Sequence, residues 1–288
     1  TIKSLTHIAT RSIPIVSNFL NWLAKSSLVP TPSVHETIKG SLIFDLLISN
    51  SDPNEPILSE LSKLFFFWTF FFGTTSMFSI LLSKKKSNFK YYGINWGKTL
   101  GRLFGIKLRV IGKENFDNNK QYIFAPNHSS VIDFQVLLVA VNQYLVFVGK
   151  KELDRIPIFN TIIKTAGFVL VDRRNNKEAI KSLENLRLDM EKYPRSVAIF
   201  PEGSRSKDGN LQDFKKGAAI FGIDTGMPII PVAIVGSYSW WNRGLFAKNS
   251  NIITIIFGDP IDTKNSSYED RNKITMSIKD QITKLRSG

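Results

Sequence analysis

The chain of 288 residues contains no cysteine and only three histidines, and both shortages narrow its chemistry. Without cysteine there is no disulfide, no thiolate nucleophile and no cysteine-ligated zinc, and the redox compartment is not constrained. The histidines, His7, His35 and His128, lie far apart along the sequence, which argues against a multi-histidine metal site. We therefore expect neither a bound metal nor another cofactor.

Other absences disfavour two classes of protein. The chain has no Gly-x-Ser-x-Gly, the nucleophile elbow of many serine hydrolases. It also has no helix-turn-helix pattern, zinc-finger spacing or RNA-recognition signature. The net charge is nevertheless +14, and because residues 1–56 carry four basic and four acidic residues, the whole excess lies in residues 57–288. We expect this charge to face anionic lipid headgroups and not nucleic acid.

The first motif that carries chemistry is Asn-His-Ser-Ser-Val-Ile-Asp at residues 127–133. An imidazole can take the proton of an attacking alcohol, and a carboxylate on its other ring nitrogen fixes the tautomer. Residues five apart on one helix point roughly 140° away from each other. His128 and Asp133 can therefore meet only if His128 lies in a loop and Asp133 in the first turn of the following helix.

The neighbouring sequence allows this arrangement. Residues 122–125 are apolar and predict a strand, while residues 131–141 predict a buried helix with Ser129 or Ser130 as its N-cap. Taken alone, the motif is equally compatible with an ordinary loop histidine and a first-turn carboxylate favoured by the helix dipole.

The second motif is Phe-Pro-Glu-Gly-Ser-Arg-Ser at residues 200–206. It follows an apolar strand candidate, and Pro201 and Gly203 predict a turn there. Arg205 in such a turn offers a planar fork that matches a phosphate or carboxylate, although a solvated surface charge is the commoner fate of arginine. Further cations follow at Arg173 and at Lys215-Lys216.

The order of elements predicts an α/β fold with a mainly parallel central sheet flanked by helices. Strand candidates near residues 122, 146, 168, 197, 230 and 253 alternate with helical stretches such as 177–193 and 266–285. On the first of these helices, Ile180, Leu183, Leu186 and Met190 are expected on one apolar side. Cations that follow parallel strands gather at one edge of the sheet, where open α/β sheets bind ligands.

Four segments together resemble the sequence blocks of the glycerolipid acyltransferases, most closely the 1-acyl-sn-glycerol-3-phosphate (lysophosphatidic acid) acyltransferases. They are the Asn-His-x4-Asp motif and residues 167–173, 200–206 and 230–234, in the same order and at similar spacing. The resemblance runs from about residue 90 to the C-terminus. Ser204 stands where the family usually has threonine, a mild departure.

The resemblance implies a role for each matching residue. His128 is the general base and Asp133 its partner, and backbone amides near Gly203 are expected to stabilise the oxyanion. The expected substrate-binding residues are Glu202, Gly203, Ser204 and Arg205 in the acceptor phosphate site, Arg173 and Lys151 as further phosphate contacts, and Pro231 near the acyl path.

The implied reaction is transfer of a fatty acyl group from acyl-CoA or acyl carrier protein to the sn-2 hydroxyl of lysophosphatidic acid, giving phosphatidic acid without a covalent acyl-enzyme. The presence of Arg205 favours an acceptor with a free phosphate. Acylation of glycerol 3-phosphate or of another lysophospholipid is the near alternative. Two distant alternatives are a serine lipid hydrolase, acting through Ser129, Ser130 or Ser204, and a non-catalytic lipid-binding protein.

An apolar run of 19 residues without a charge, 64–82, is about long enough to cross a bilayer, and Lys84-Lys85-Lys86 follow it. The next segment, 91–108, is amphipathic and has small residues at Gly97, Gly101 and Gly105, which let helices approach closely. A buried helix of a soluble core is the alternative reading. Similar family members carry a two-helix element that enters one leaflet, so a hairpin is favoured over a spanning helix, with the catalytic domain facing the cytosol.

These readings divide the chain into three parts. Residues 1–56 form an N-terminal extension without an assigned function, residues 57–108 the membrane-anchoring helices, and residues 109–288 the acyltransferase domain.

Overall fold

The computed structural model describes residues 56–156, 158–172, 175–242 and 251–287. Within these ranges the helices are α1 (Pro56–Ser83), α2 (Phe89–Leu103), α3 (Ile132–Val141), α4 (Phe159–Thr165), α5 (Asn176–Lys192), α6 (Gly217–Thr225), α7 (Ser237–Asn242) and α8 (Arg271–Ser287). The strands are β1 (Lys107–Ile111), β2 (Ile123–Pro126), β3 (Leu145–Lys150), β4 (Val169–Val171), β5 (Ser196–Ala198), β6 (Ile229–Val235) and β7 (Ile252–Phe257). Short 3₁₀ turns cover Lys86–Asn88, Lys113–Asn115, Lys151–Arg155 and Tyr268–Asp270. The extension predicted at residues 1–56 lies outside the described residues, apart from its last residue.

The seven strands form one sheet in the order β1-β7-β6-β2-β5-β3-β4. The five strands from β6 to β4 run parallel, whereas β7 pairs antiparallel with β6, and β1 pairs parallel with β7. The predicted mainly parallel α/β sheet is therefore confirmed. Strand β1 at its edge was not predicted, and its first two residues, Lys107 and Leu108, were assigned to the end of the amphipathic segment 91–108.

Helices α1 and α2 form an antiparallel pair. The Trp96 indole donates to the Thr69 hydroxyl at 3.0 Å, and the Phe65 ring lies 6.4 Å from Trp96 and 6.3 Å from Phe104 between ring centres. After α1 the chain reverses direction, and α2 packs along α1. This is the hairpin arrangement that the sequence favours.

The small residues of α2 serve a contact with α3. A Cβ at Gly97 would lie 2.7 Å from the Val139 Cγ2 atom and 3.1 Å from the Gln135 carbonyl oxygen, so a side chain there would clash. The Gln135 side-chain amide also donates to the Gly97 carbonyl at 3.1 Å. Gly105, with φ +64°, follows the end of α2 in a left-handed conformation, and β1 begins two residues later. The amphipathic segment therefore ends its helix at Leu103.

The core lies on both faces of the sheet, because parallel strands covered by helices are apolar on both sides. Strands β2 and β5 are fully buried, and α3 is apolar nearly all round. On α5, Leu186 and Met190 face the core as predicted, but Ile180 is 64% exposed and does not belong to that apolar side. Its neighbour Ala179 packs against the core instead, so Ile180 lies on the outward side of the helix.

Candidate active site

The two motifs meet at one edge of the sheet. Strands β2 and β5 are parallel neighbours, so the residues that follow Pro126 and Ala198 leave the sheet on the same side. His128 follows β2 by two residues, and the turn at 201–206 follows β5. This is the carboxyl edge at which the sequence predicts the site.

His128 and Asp133 meet as the spacing argument requires. Helix α3 begins at Ile132, so His128 lies in the preceding loop and Asp133 in the first turn. The His128 Nδ1 atom lies 2.8 Å from the Asp133 Oδ2 atom, and Asp133 is fully buried. Because a carboxylate accepts this hydrogen bond, Nδ1 carries the proton and Nε2 keeps the lone pair that a general base needs.

The same carboxylate also shapes the loop. The backbone amides of Ser129 and Ser130 both donate to the Asp133 Oδ2 atom at 2.8 Å. The predicted serine N-cap is wrong, since the N-cap is Val131 and no side chain caps the helix there. Asp133 binds these loop amides from inside the helix, and the contacts keep its side chain directed at His128.

Two aromatic rings enclose the imidazole. The Phe200 ring centre lies 4.1 Å from that of His128 at a tilt of 32°, and Phe134 meets His128 edge-on at 5.4 Å. His128 is only 8% exposed as a result. The packing restricts the rotation of the ring and limits the access of water to it.

Glu202 connects the second motif to the first. Its Oε1 atom accepts the backbone amide of His128 at 2.7 Å, and its Oε2 atom accepts that of Gln212 at 3.1 Å. The amide of Ser206 donates to the His128 carbonyl at 2.8 Å, so both backbone groups of His128 are held by this motif. Burial raises the pKa of Glu202, and the two amide donors oppose that rise.

The predicted place of Glu202 in the phosphate site stays a prediction. In the structure both of its carboxylate oxygens accept backbone amides, one of them the amide of His128. These contacts connect Glu202 to the loop that carries His128.

Gly203 adopts a left-handed conformation with φ +70°, which few other residues tolerate. Its amide donates to the Phe200 carbonyl at 3.1 Å and closes the turn. The Gly203 amide is therefore occupied within the turn, and the role of the backbone amides near Gly203 in binding an oxyanion stays a prediction. The glycine serves the shape of the turn.

Arg205 is a half-buried cation beside the catalytic pair. Burial lowers the pKa of its guanidinium, and the nearby Asp133 carboxylate opposes this shift. Within the described ranges, no residue forms a hydrogen bond or an ion pair with the Arg205 side chain. Because arginine stays charged in proteins, a planar cation with unused donors is held ready for an anion.

The remaining predicted substrate-binding residues have different surroundings. The exposed Ser204 hydroxyl donates to the Gln212 side chain at 3.1 Å. The Lys151 ammonium follows β3 at the same edge but lies 2.7 Å from a Glu178 oxygen, and this contact raises the pKa of Lys151. Pro231 is buried in β6 opposite Ala125, and its carbonyl accepts the Gly258 amide. Arg173 lies outside the described residues.

Asn127 is a residue whose role the sequence did not reveal. Its side-chain oxygen accepts the Ile234 amide at 2.7 Å, and its side-chain nitrogen donates to the Ile234 carbonyl at 3.1 Å. The amide group thus imitates a strand peptide and extends the pairing of β2 with β6 up to His128. The one feature of the sequence that could have indicated this role is the position of Asn127 between the end of β2 and His128.

Over the described part of the chain, no three His, Cys, Asp or Glu side chains gather into a possible metal site.

Known acyltransferases resemble this chain in sequence and fold. The sequence model of the family described as Acyltransferase matches residues 107–235. A 1-acyl-sn-glycerol-3-phosphate acyltransferase of Borreliella burgdorferi is 31% identical over 182 residues, which cover 63% of this chain and 72% of the relative. The chain belongs to the acyltransferase family.

Further members of the acyltransferase family agree. A 1-acyl-sn-glycerol-3-phosphate acyltransferase of Cocos nucifera is 31% identical over 181 residues, 63% of this chain and 58% of the relative. The crystal structure of the 1-acyl-sn-glycerophosphate (LPA) acyltransferase PlsC from Thermotoga maritima superimposes with a TM-score of 0.61 at 25% identity, covering 78% of this chain and 94% of that one. The chain spans 58% to 60% of the length of the first plant relatives that it matches.

Proposed function

We propose that this chain transfers a fatty acyl group from an acyl thioester to the sn-2 hydroxyl of lysophosphatidic acid, giving phosphatidic acid. The observation that carries the proposal is the half-buried Arg205 side chain, which forms no ion pair with any described residue and lies close enough to the buried His128–Asp133 pair for the Asp133 carboxylate to act on it. A cation of this kind suits a phosphate, and the adjacent base suits a hydroxyl on the same molecule. The names of the relatives agree with the acceptor.

The reaction needs one base and no covalent enzyme intermediate. His128 Nε2 removes the hydroxyl proton as the oxygen attacks the thioester carbonyl, and Asp133 stabilises the imidazolium that forms. When the tetrahedral intermediate collapses, the carbon–sulfur bond breaks and the thiolate takes the proton from His128. Arg205 holds the acceptor phosphate, so it positions the hydroxyl without taking part in bond changes.

A serine hydrolase is the rival enzyme. The hydroxyl of Ser129 lies 3.0 Å from that of Ser237, while the Ser204 hydroxyl is directed at Gln212. Both hydroxyls therefore have partners other than the imidazole, whereas a nucleophilic serine must hydrogen-bond its base.

One assay separates the candidates. Purified protein in detergent is given one of two acyl donors, acyl-CoA or acylated acyl carrier protein, which carry the same acyl chain. Each donor is combined with one acceptor: lysophosphatidic acid, glycerol 3-phosphate, lysophosphatidylcholine or monoacylglycerol. The products are identified by mass spectrometry. We expect phosphatidic acid as the main product. A persistent acyl-serine would support the hydrolase, and binding to anionic vesicles without turnover of any acceptor would support a lipid-binding protein.

We infer as well that α1 and α2 anchor the protein in one membrane leaflet, with the catalytic domain on the cytosolic side. Over the described ranges, Lys63–Ser83 is the one helix long and apolar enough to cross a bilayer, and only 11% of its apolar window is buried. Its outward residues Phe71, Phe78, Leu81 and Leu82 are exposed, and lysines follow at 84–86. Apolar side chains in this number are better placed in lipid than in water.

A tag placed before α1 and a second tag in the exposed loop 117–120 should lie on the same side of the membrane, because a hairpin returns the chain to the side that it left. Protease accessibility in sealed vesicles measures this, with detergent-opened vesicles as the control. Protection of one tag alone would contradict the hairpin and support a single span.

A further inference from the structure

Lys215 lies against the glycine turn that precedes Arg205. A Cβ built on Gly203 would lie 3.1 Å from the Lys215 Cε atom and 3.2 Å from its Nζ atom, so the ammonium occupies the space that any larger residue would fill. The backbone amide of Lys215 donates to the Pro201 carbonyl at 2.8 Å, which ties the lysine to the same turn. Lys215 is exposed, and its ammonium lies beside the turn.

The acidic groups near this turn are engaged elsewhere. Glu202 accepts the amides of His128 and Gln212, Asp213 pairs with Lys279 at 3.0 Å, and Asp208 accepts from Ser206 and Asn210. None of these three carboxylates forms an ion pair with Lys215 or Arg205.

Lys215 and Arg205 are alike in having no ion-pair partner. In the part of the chain that the structure describes, neither side chain forms an ion pair. Arg205 belongs to the turn and Lys215 lies against its Gly203, so the two positive charges favour an anion bound at this turn. Arginine supplies a planar fork and lysine a compact point charge, a combination that fits the several oxygens of one phosphate.

We propose that Lys215 is a second phosphate-binding residue for the acceptor, contacting the same phosphate as Arg205 from the Gly203 side. The proposal rests on the proposed function, since it names a further ligand of the same phosphate. It also gives Gly203 a second purpose, because the missing side chain is what admits the ammonium to the turn.

The test compares Lys215→Met with Lys216→Met in the full chain. Methionine keeps the apolar stem over Gly203 and removes the charge, and Lys216 is the matched control because it is adjacent, exposed and equally charged. Lys215→Met should raise the KM for lysophosphatidic acid about 10- to 100-fold, the range for a hydrogen bond to a charged group, and leave the acyl-donor KM nearly unchanged. Lys216→Met should change either KM by no more than about twofold, as for an exposed charge.

Inorganic phosphate and sn-glycerol 3-phosphate serve as probes of the site alone. Each should compete with lysophosphatidic acid in the wild type and in Lys216→Met, and compete more weakly in Lys215→Met. Equal acceptor KM values and equal inhibition in the two variants would overturn the role of Lys215. Thermal unfolding curves identify any variant that is misfolded, and Lys215→Gln then replaces it in the same comparison.

Failure of the proposed function gives a different result. If the wild type acylates no phosphate-bearing acceptor, the proposed reaction is wrong, and calorimetric binding of sn-glycerol 3-phosphate to the wild type and both variants still tests the site. Weaker binding by Lys215→Met alone supports the phosphate contact, and identical binding by all three proteins rejects it.

Discussion

Replacing His128 with alanine should lower turnover by about 10²- to 10⁴-fold, while binding of the acceptor is nearly unchanged. In the proposed reaction the imidazole takes the hydroxyl proton in the transition state, and its Nδ1 atom is already engaged with Asp133 at 2.8 Å. The proposed phosphate ligand is Arg205, so the ground-state complex of the variant should keep its main polar contact. The measurement is kcat and acceptor KM for purified wild type and variant.

Asp133→Asn is the companion variant. The Asp133 Oδ2 atom accepts three N–H groups, from His128, Ser129 and Ser130, and an asparagine can present its nitrogen or its oxygen to them but not both. When the nitrogen faces the imidazole, the proton moves to Nε2 and the base is lost, so turnover should fall by orders of magnitude. A folded His128→Ala protein that kept more than about a tenth of wild-type turnover would reject the assignment of the base.

Replacing Arg205 with alanine should raise the KM for lysophosphatidic acid strongly, with a loss of about 1.5 to 3 kcal/mol in acceptor binding. The guanidinium is half-buried and forms no ion pair with any described residue, so its donors remain for the phosphate. The KM for the acyl donor should hardly move. Steady-state kinetics with each substrate varied in turn gives both values.

Arg205→Lys is the matched control, because it keeps the charge but loses the planar fork, and its effect should lie between those of wild type and alanine. With monoacylglycerol, which lacks the phosphate, the alanine and wild-type proteins should differ little. An equal rise in the KM of donor and acceptor would instead indicate that Arg205 acts through folding.

The amino-acid sequence by itself determined the elements that depend on local patterns. Alternating apolar runs and helical stretches predicted the α/β class and the places of β2, β3 and β7, because periodicity reports which face of a segment is buried. The spacing of His128 and Asp133 predicted a loop followed by a first-turn carboxylate, since helix geometry leaves no other way for the two to meet. The order and spacing of the four sequence motifs also indicated the acyltransferase family.

The tertiary structure decided which groups hydrogen-bond across the fold. Glu202 lies 74 positions from His128 in the sequence, yet one of its oxygens accepts the His128 backbone amide. Lys215 was one of several cations that the sequence placed near the site, and the fold brought its ammonium against Gly203.

Strand β1, at the edge of the sheet, is another feature that the tertiary structure decided. Strand β1 is short and mostly exposed, and its pairing with β7 makes it a strand. Local propensity acts over a few neighbouring residues, whereas the partner of a carboxylate, an ammonium or an edge strand is chosen by packing between segments far apart in the chain. For that reason the sequence alone determined the fold class and predicted the pairing of His128 with Asp133, and the folded chain decided which distant groups contact that pair.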